Sequence, residues 1–323
     1  MADVPGVPRV PLAVTPTPLR PAPRLSEELG AEIWFKRDDL LGLGLGGNKA
    51  RPLEFLMGDA LAQGCDVLVT GSGSQSNWSL LASLAARRCG LEAVVCLYGD
   101  PPPEARGNLA LHRLVGSRLV WTGDPSRESV DLRIAEIAAE LESAGRHPYV
   151  VPRGGATPLG SLGYLLGSRE IAEQCAAAGI ADPTVWLATG SCGTQAGLVA
   201  GVGGGILPRV IGVTVSRPVD ECRERVLRLA VGAADLAGIA PPAHGNVEVV
   251  DGYLGPGYGY ASPEGAAAAE LALRTEGVFL DPPFCAKAMA ALVDAAREGA
   301  LTGPTVFLVS GGAPTLFVQD GPL

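Results

Sequence analysis

Lysine is nearly missing from this chain. Among 25 Lys and Arg residues in 323, the lysines are Lys36, Lys49 and Lys287. Arginine stays protonated and cannot act as an amine nucleophile, whereas lysine can lose its proton and form a Schiff base. A chain that has exchanged nearly every lysine for arginine keeps the remainder where arginine cannot substitute. Lys36 lies in the charged run Lys36-Arg37-Asp38-Asp39 and Lys287 in a helical stretch of alanines, contexts in which a solvated charge is the ordinary reading. Lys49 stands in Gly46-Gly47-Asn48-Lys49-Ala50-Arg51, a glycine-rich entry to a helix, and is the candidate for chemistry.

Other shortages exclude whole classes. Three histidines, and seven cysteines without a Cys-x-x-Cys pair, suggest neither a zinc site nor a disulfide framework. Positive charge is short as well: a formal net charge of −9 gives a field that repels nucleic acid and anionic membrane. Arg223-Glu224-Arg225 with Arg228 reads as one solvated helix face. The proline-rich stretch Met1 to Arg24 lacks an apolar signal core, so no export is implied. The apolar region Val185 to Val215 is broken by Gln195, Pro208 and Arg209 and does not read as a membrane span. The expectation is a soluble cytoplasmic protein with no nucleic-acid, membrane or metal partner.

What is present is 47% hydrophobic residues, 44 glycines and 27 prolines, a globular composition with many tight turns. Strands are predicted at Asp66–Thr70, Ala93–Leu97, Arg118–Trp121, Tyr149–Val151, Thr184–Ala188, Arg209–Val215 and Thr305–Val309. Helices are predicted at Ser76–Cys89, Leu109–Val115, Ser129–Ser143, Gly160–Ala178, Thr194–Val202, Val219–Gly232, Pro263–Thr275 and Cys285–Glu298. Continuous apolar strands separated by helices predict mostly parallel sheets covered on both faces, a three-layer α/β architecture. There is no tandem repeat and no low-complexity linker, so a second domain must arise by an excursion of the chain.

Two strand–loop–helix junctions could hold anions: Gly71-Ser72-Gly73-Ser74-Gln75-Ser76-Asn77 and Gly190-Ser191-Cys192-Gly193-Thr194-Gln195-Ala196-Gly197. Free backbone N–H groups and the positive helix end favour a bound anion at each. An ordinary capped helix is the competing reading, since Ser and Thr are preferred N-caps. Two such loops with an activatable lysine fit an aldehyde cofactor that carries a phosphate, one loop gripping the phosphate and the other a substrate carboxylate. A dinucleotide reading is weak, because Gly42–Gly47 and Gly201–Gly205 do not open a helix directly after a strand.

At this point the residues resemble a known family. Phe35-Lys36-Arg37-Asp38-Asp39-Leu40 and Gly46-Gly47-Asn48-Lys49-Ala50-Arg51-Pro52 are similar to the pyridoxal-phosphate lysine segment of D-cysteine desulfhydrases and 1-aminocyclopropane-1-carboxylate (ACC) deaminases. Gln75-Ser76-Asn77, the Gly190–Gly197 loop, Gly257-Tyr258-Gly259, Leu280-Asp281-Pro282 and Ser310-Gly311-Gly312-Ala313-Pro314 follow in that family's order, so the likeness runs from Pro11 to Leu316. The resemblance implies fold type II, the tryptophan-synthase-β-like fold. A large domain of residues 1–51 plus 156–323 would carry a small domain of residues 52–155, and the chain would be a homodimer. It implies pyridoxal 5′-phosphate on Lys49, with Asn77 at the cofactor's phenolic oxygen and Ser191, Cys192, Gly193 and Thr194 around its phosphate. Phe284, Cys285 and Ser310 would border the ring. Ser76, Asn77 and Trp78 would face a small amino-acid substrate's carboxylate, and Ser76 and Tyr258 would join Lys49 in catalysis.

The implied reaction is β-elimination to a keto acid and ammonia. Four positions depart from the family pattern. Phe284 replaces a stacking tyrosine, which disfavours ACC deamination, and Cys285 replaces a stronger partner for the pyridine nitrogen. Trp78 adds an apolar wall beside the carboxylate loop. Pro52 replaces a basic residue and places the helix start there. Elimination or replacement on a larger biosynthetic amino acid, and a non-catalytic cofactor-binding relative, are the alternatives.

Overall fold

The computed structural model describes residues 4–318; residues 1–3 and 319–323, at the ends of the expected large domain, lie outside the described residues. In chain order it contains β1 (Leu19–Pro21), α1 (Pro23–Leu29), β2 (Ile33–Lys36), α2 (Ala50–Ala62), β3 (Val67–Ser72), α3 (Asn77–Arg88), β4 (Glu92–Leu97), α4 (Gly107–Val115), β5 (Arg118–Trp121) and α5 (Glu128–Ser143). Then follow β6 (Pro148–Val150), α6 (Pro158–Ala177), β7 (Thr184–Thr189), α7 (Gly193–Gly203), β8 (Arg209–Thr214), α8 (Val219–Ala237), β9 (Glu248–Val250), α9 (Pro263–Glu276), α10 (Cys285–Arg297) and β10 (Thr305–Leu308).

The strands form two sheets. One has six strands in the order β1-β2-β10-β7-β8-β9, the other four in the order β5-β4-β3-β6, drawn wholly from residues 67–150. Every pairing is parallel except β1 with β2, an antiparallel edge. Alternation along each strand sends neighbouring side chains to opposite faces. Val185 and Leu187 of β7 therefore pack with α6, α7 and α8, while Trp186 packs with α9 and α10. In the second sheet Leu68 faces α2 and α3, and Val67 and Val69 face α5. Both sheets are thus covered on two sides, as the continuous apolar strands predict. No described helix is long and apolar enough to cross a membrane.

Three expectations need correction. The strands β1, β2 and β9 were not predicted; β1 and β9 are three-residue edge segments, too short for a periodic signal. Helix α8 runs past Gly232 to Ala237 and ends at Gly238, which adopts φ 64°. Gly232 is kept inside the helix because a Cβ there would lie 2.9 Å from the Pro158 ring. Helix α2 starts at Ala50 rather than Pro52, which sits third in its first turn, where its missing N–H leaves nothing unpaired.

Candidate active site

Strands β3 and β7 end in loops that open α3 and α7, and the two helix N-termini face one cavity between the sheets. Lys49, Ser76, Asn77 and Trp78 line it on one side; Ser191, Tyr258, Phe284 and Ser310 close it. Cys192, Gly193, Thr194 and Cys285 are not among the residues lining it; the first three form the start of α7 behind Ser191.

Lys49 caps α2 in the helical region. The turn before it depends on Gly46, whose φ of 81° and closeness to Asp39 O (a Cβ would lie 1.8 Å away) exclude any side chain. Asn48 fastens the turn on both sides: its N–H donates to Ser310 O at 2.8 Å and its Nδ2 to Thr194 Oγ1 at 2.9 Å. Two residues on, Arg51 is buried and forked. Its Nε and Nη2 donate to Asp38 at 2.8 and 2.9 Å, and its Nη1 and Nη2 to Glu170 at 3.0 and 2.8 Å. Lys36 Nζ completes that network on Glu170 and the carbonyl of Thr17, so Lys36 is structural and fully buried rather than solvated. Lys287 is also buried, donating to the carbonyls of Leu254 at 2.6 Å and Gly257 at 3.0 Å, and so holds the loop that carries Tyr258.

Lys49 alone of the three has an amine with no hydrogen bond or ion pair among the described residues. Burial lowers its pKa to about 8, partly opposed by Cys192, Cys285 and Asp281. A useful fraction is therefore neutral near pH 7.5. Asp281 is buried too: burial raises its carboxyl to about 6, Oδ1 accepts from Cys285 N at 3.1 Å, and Oδ2 has no partner among the described residues.

On the β3 side, Ser76 is the N-cap of α3, its Oγ accepting from Trp78 N–H at 3.2 Å. Asn77 Oδ1 accepts from Asn108 Nδ2 at 2.8 Å, which turns the Asn77 Nδ2 toward Gly312. Trp78 is buried and pinned by its Nε1, which donates to Thr70 Oγ1 at 2.9 Å. On the β7 side, Cys192 opens α7 with φ 77°, a strained conformation for a residue with a Cβ. Its thiol turns away from the cavity to Cys222, 3.6 Å off. The backbone N–H groups of Ser191, Cys192, Gly193 and Thr194 have no hydrogen-bond partner among the described residues. Four unclaimed amides at the start of an 11-residue helix make a cradle for an anion.

Tyr258 is held between two groups. Its ring lies 5.6 Å from that of Phe284, tilted by 50°, and the Arg127 guanidinium stands 4.5 Å from its centroid. Burial pushes its hydroxyl up to about 12, so it is a proton donor at neutral pH. The Cys285 thiol contacts Ser310 Oγ at 3.0 Å, and burial holds it well above the usual thiol range, hence neutral. Asn108, Asp281 and Arg127 have no individual signal in the sequence. Asn108 reaches Asn77 only through folding, and Asp281 appeared only as part of a motif.

An unpaired amine of lowered pKa beside an empty-handed anion cradle fits a phosphorylated aldehyde. The model of the family described as pyridoxal-phosphate dependent enzyme matches residues 10–311. The chain belongs to that family. Pyridoxal phosphate is its cofactor, and the orphaned amides after β7 are the observation in this chain that suits the phosphate.

Related proteins agree over nearly the whole length. A D-cysteine desulfhydrase of Yersinia pestis (strain Pestoides F) is 42% identical over 322 residues, covering 96% of this chain and 95% of that one. A putative 1-aminocyclopropane-1-carboxylate deaminase of Pyrococcus abyssi is 39% identical, covering 96% and 93%. The crystal structure of an ACC deaminase homologue superposes with a TM-score of 0.90 at 37% identity, covering 97% of this chain and 94% of that one. This is the fold type II architecture that the residues of the sequence resemble.

Proposed function

We propose that this enzyme is a lyase that eliminates the β-substituent of a small amino acid, with D-cysteine as the reference substrate. The carrying observation is that Lys49 stands between two helix N-termini, one suited to the cofactor's phosphate and one to a substrate carboxylate. The cofactor, when bound, supplies an electron sink for the substrate's α-carbon.

The chain does the rest. Lys49 would hold the cofactor's aldehyde carbon, and its amine is the base that would take the proton from the substrate's α-carbon. Ser191, Cys192, Gly193 and Thr194 offer backbone N–H groups to the phosphate. Asn77 Nδ2, oriented by Asn108, would donate to the cofactor's phenolic oxygen. The Ser76 hydroxyl and the Asn77 amide at the start of α3 would hold the substrate's carboxylate, and Trp78 would keep water from that wall. Phe284 would pack by the ring, and Tyr258, whose hydroxyl stays protonated at neutral pH, would protonate the departing sulfur. The neutral Cys285 thiol, in contact with Ser310, would give the pyridine nitrogen no acidic partner, which suits elimination. The sum is D-cysteine plus water giving pyruvate, ammonium and hydrogen sulfide. Phe284 has no hydroxyl to assist ring opening, which disfavours ACC as a substrate.

Among the described residues, 52–155 would form the small domain and 4–51 with 156–318 the large one; the separate sheet drawn from residues 67–150 supports this division. The chain pairs with a second copy, a reading supported by an apolar cavity lined by Leu273, Phe279, Leu280, Pro282 and Leu316, where Phe279 is 61% exposed. Sedimentation at twice the 33.0 kDa chain mass is expected. A cytoplasmic location suits seven unpaired thiols. The function is tested by incubating the holoenzyme with D-cysteine, ACC and a larger thioether amino acid, and measuring keto acid and ammonia. Turnover of D-cysteine is expected; turnover of the thioether alone contradicts the reference substrate.

A further inference from the structure

A second cavity, of about 230 Å³, adjoins the one that holds Lys49 and shares Gly154, Gly190, Ser191 and Tyr258 with it. Four arginines line it, Arg127, Arg153, Arg217 and Arg225, against two carboxylates, Asp131 and Glu221. They come from four separate places in the chain: the start of α5, the loop after β6, the loop after β8, and α8.

Their existing partners do not neutralise them. Arg153 meets Asp131 at 3.0 Å and Glu128 at 3.7 Å, and Arg217 meets Glu221 at 3.3 Å. Arg127 and Arg225 have no ion pair among the described residues: Arg127 donates to the carbonyl of Ser216 at 3.5 Å and stacks on Tyr258, and Arg225 donates to the carbonyl of Ser191 at 3.2 Å. Arg217 Nε is buried without a partner among the described residues. Burial first, then the neighbouring Arg217 and Arg228, lower the pKa of Arg225, with Cys192 and Glu221 opposing them. In a chain of net charge −9 this is a local excess of positive charge at the mouth of the reactive site. Guanidinium groups recognise oxyanions through paired donors.

We propose that this arginine cavity binds a second anion on the side chain of the substrate, so that the enzyme prefers amino acids whose β-substituent ends in a carboxylate or another oxyanion. The inference rests on the lyase reading of the Lys49 cavity and adds its substrate class. For the probe S-(carboxymethyl)cysteine the reaction breaks the Cβ–S bond: substrate and water give pyruvate, ammonium and thioglycolate, the electron pair leaving with sulfur.

The test compares S-(carboxymethyl)cysteine with S-(carbamoylmethyl)cysteine, both as D and L forms, which differ at the far end only by charge. The wild-type holoenzyme is expected to show at least a tenfold higher kcat/KM for the carboxylate, a ratio that shrinks in high salt. Arg153→Gln/Arg217→Gln is expected to bring the ratio near one, and Arg217→Lys to keep part of it. A wild-type ratio at or below one, or a ratio unchanged in the double variant, overturns the proposal. So does an equal loss for both compounds accompanied by weaker cofactor binding in an absorbance titration, which would give the arginines to the cofactor. Calorimetric titration of the same pair reads the preference without turnover. If no amino acid reacts, the lyase reading fails, while an affinity ratio near one still sinks the arginine cavity and a tenfold preference still supports it.

Discussion

Asn48 Nδ2 donates to Thr194 Oγ1 across 2.9 Å, joining the reactive lysine's turn to the anion cradle of α7. The two residues are 146 positions apart, and this hydrogen bond ties the lysine's turn to the start of α7. Asn48→Ala removes it at a buried position. A lost buried hydrogen bond costs about 1–1.5 kcal/mol, which corresponds to about a tenfold weaker cofactor dissociation constant. Absorbance titration of the cofactor-free variant checks this.

The pKa of Lys49 predicts how cofactor uptake depends on pH. Because burial lowers it to about 8, the neutral amine gains about tenfold per pH unit below 8 and levels off above. Stopped-flow mixing of the cofactor-free protein with pyridoxal phosphate should show that profile. Linkage gives a second readout. Between about 8 and the unfolded lysine value the unfolded chain holds more protons than the folded one, so stability of the cofactor-free protein rises with pH across that window. Below about 8 the burial penalty is fully present. Lys49→Met should therefore stabilise the cofactor-free protein at pH 7, with the gain fading above pH 8 in urea titrations.

Arg51 holds two buried carboxylates with four hydrogen bonds. Arg51→Met leaves Asp38 and Glu170 with Lys36 as their remaining cation. Breaking a buried ion pair from one side costs about 3–5 kcal/mol. Urea unfolding of the variant should show a loss of that size, and Arg51→Lys should recover little because a single ammonium cannot fork.

Lys287→Met frees the carbonyls of Leu254 and Gly257 and loosens the loop that presents Tyr258. Lys49 and the cradle are untouched. The expected result is about a tenfold lower kcat/KM, from roughly 1.4 kcal/mol of lost positioning, with the cofactor's absorbance titration unchanged. A loss of cofactor binding instead would contradict a role confined to that loop.

Much of this was readable in the chain. The parallel sheets follow from strands such as Thr184–Thr189 that are apolar on both faces, and Lys49 was singled out by its rarity and its glycine-rich turn. The contrast among the lysines was not readable: Lys36 and Lys287 are scarce for a different reason, as buried donors whose partners lie 134, 33 and 30 positions away. Arg225 shows the same limit. Its neighbours Arg223, Glu224 and Arg228 suggest a solvated face, yet it is half-buried and reaches the carbonyl of Ser191. Periodicity locates a helix, but which of its faces meets a cavity depends on how the helices pack.

Lys49 is the residue on which the attachment of the cofactor turns. Borohydride reduction of the yellow holoenzyme, followed by proteolysis and mass mapping, tests this with two internal controls. The pyridoxyl group is expected on the peptide containing Lys49 and absent from those containing Lys36 and Lys287. A label on either of those two, or on no lysine of the intact coloured enzyme, contradicts it.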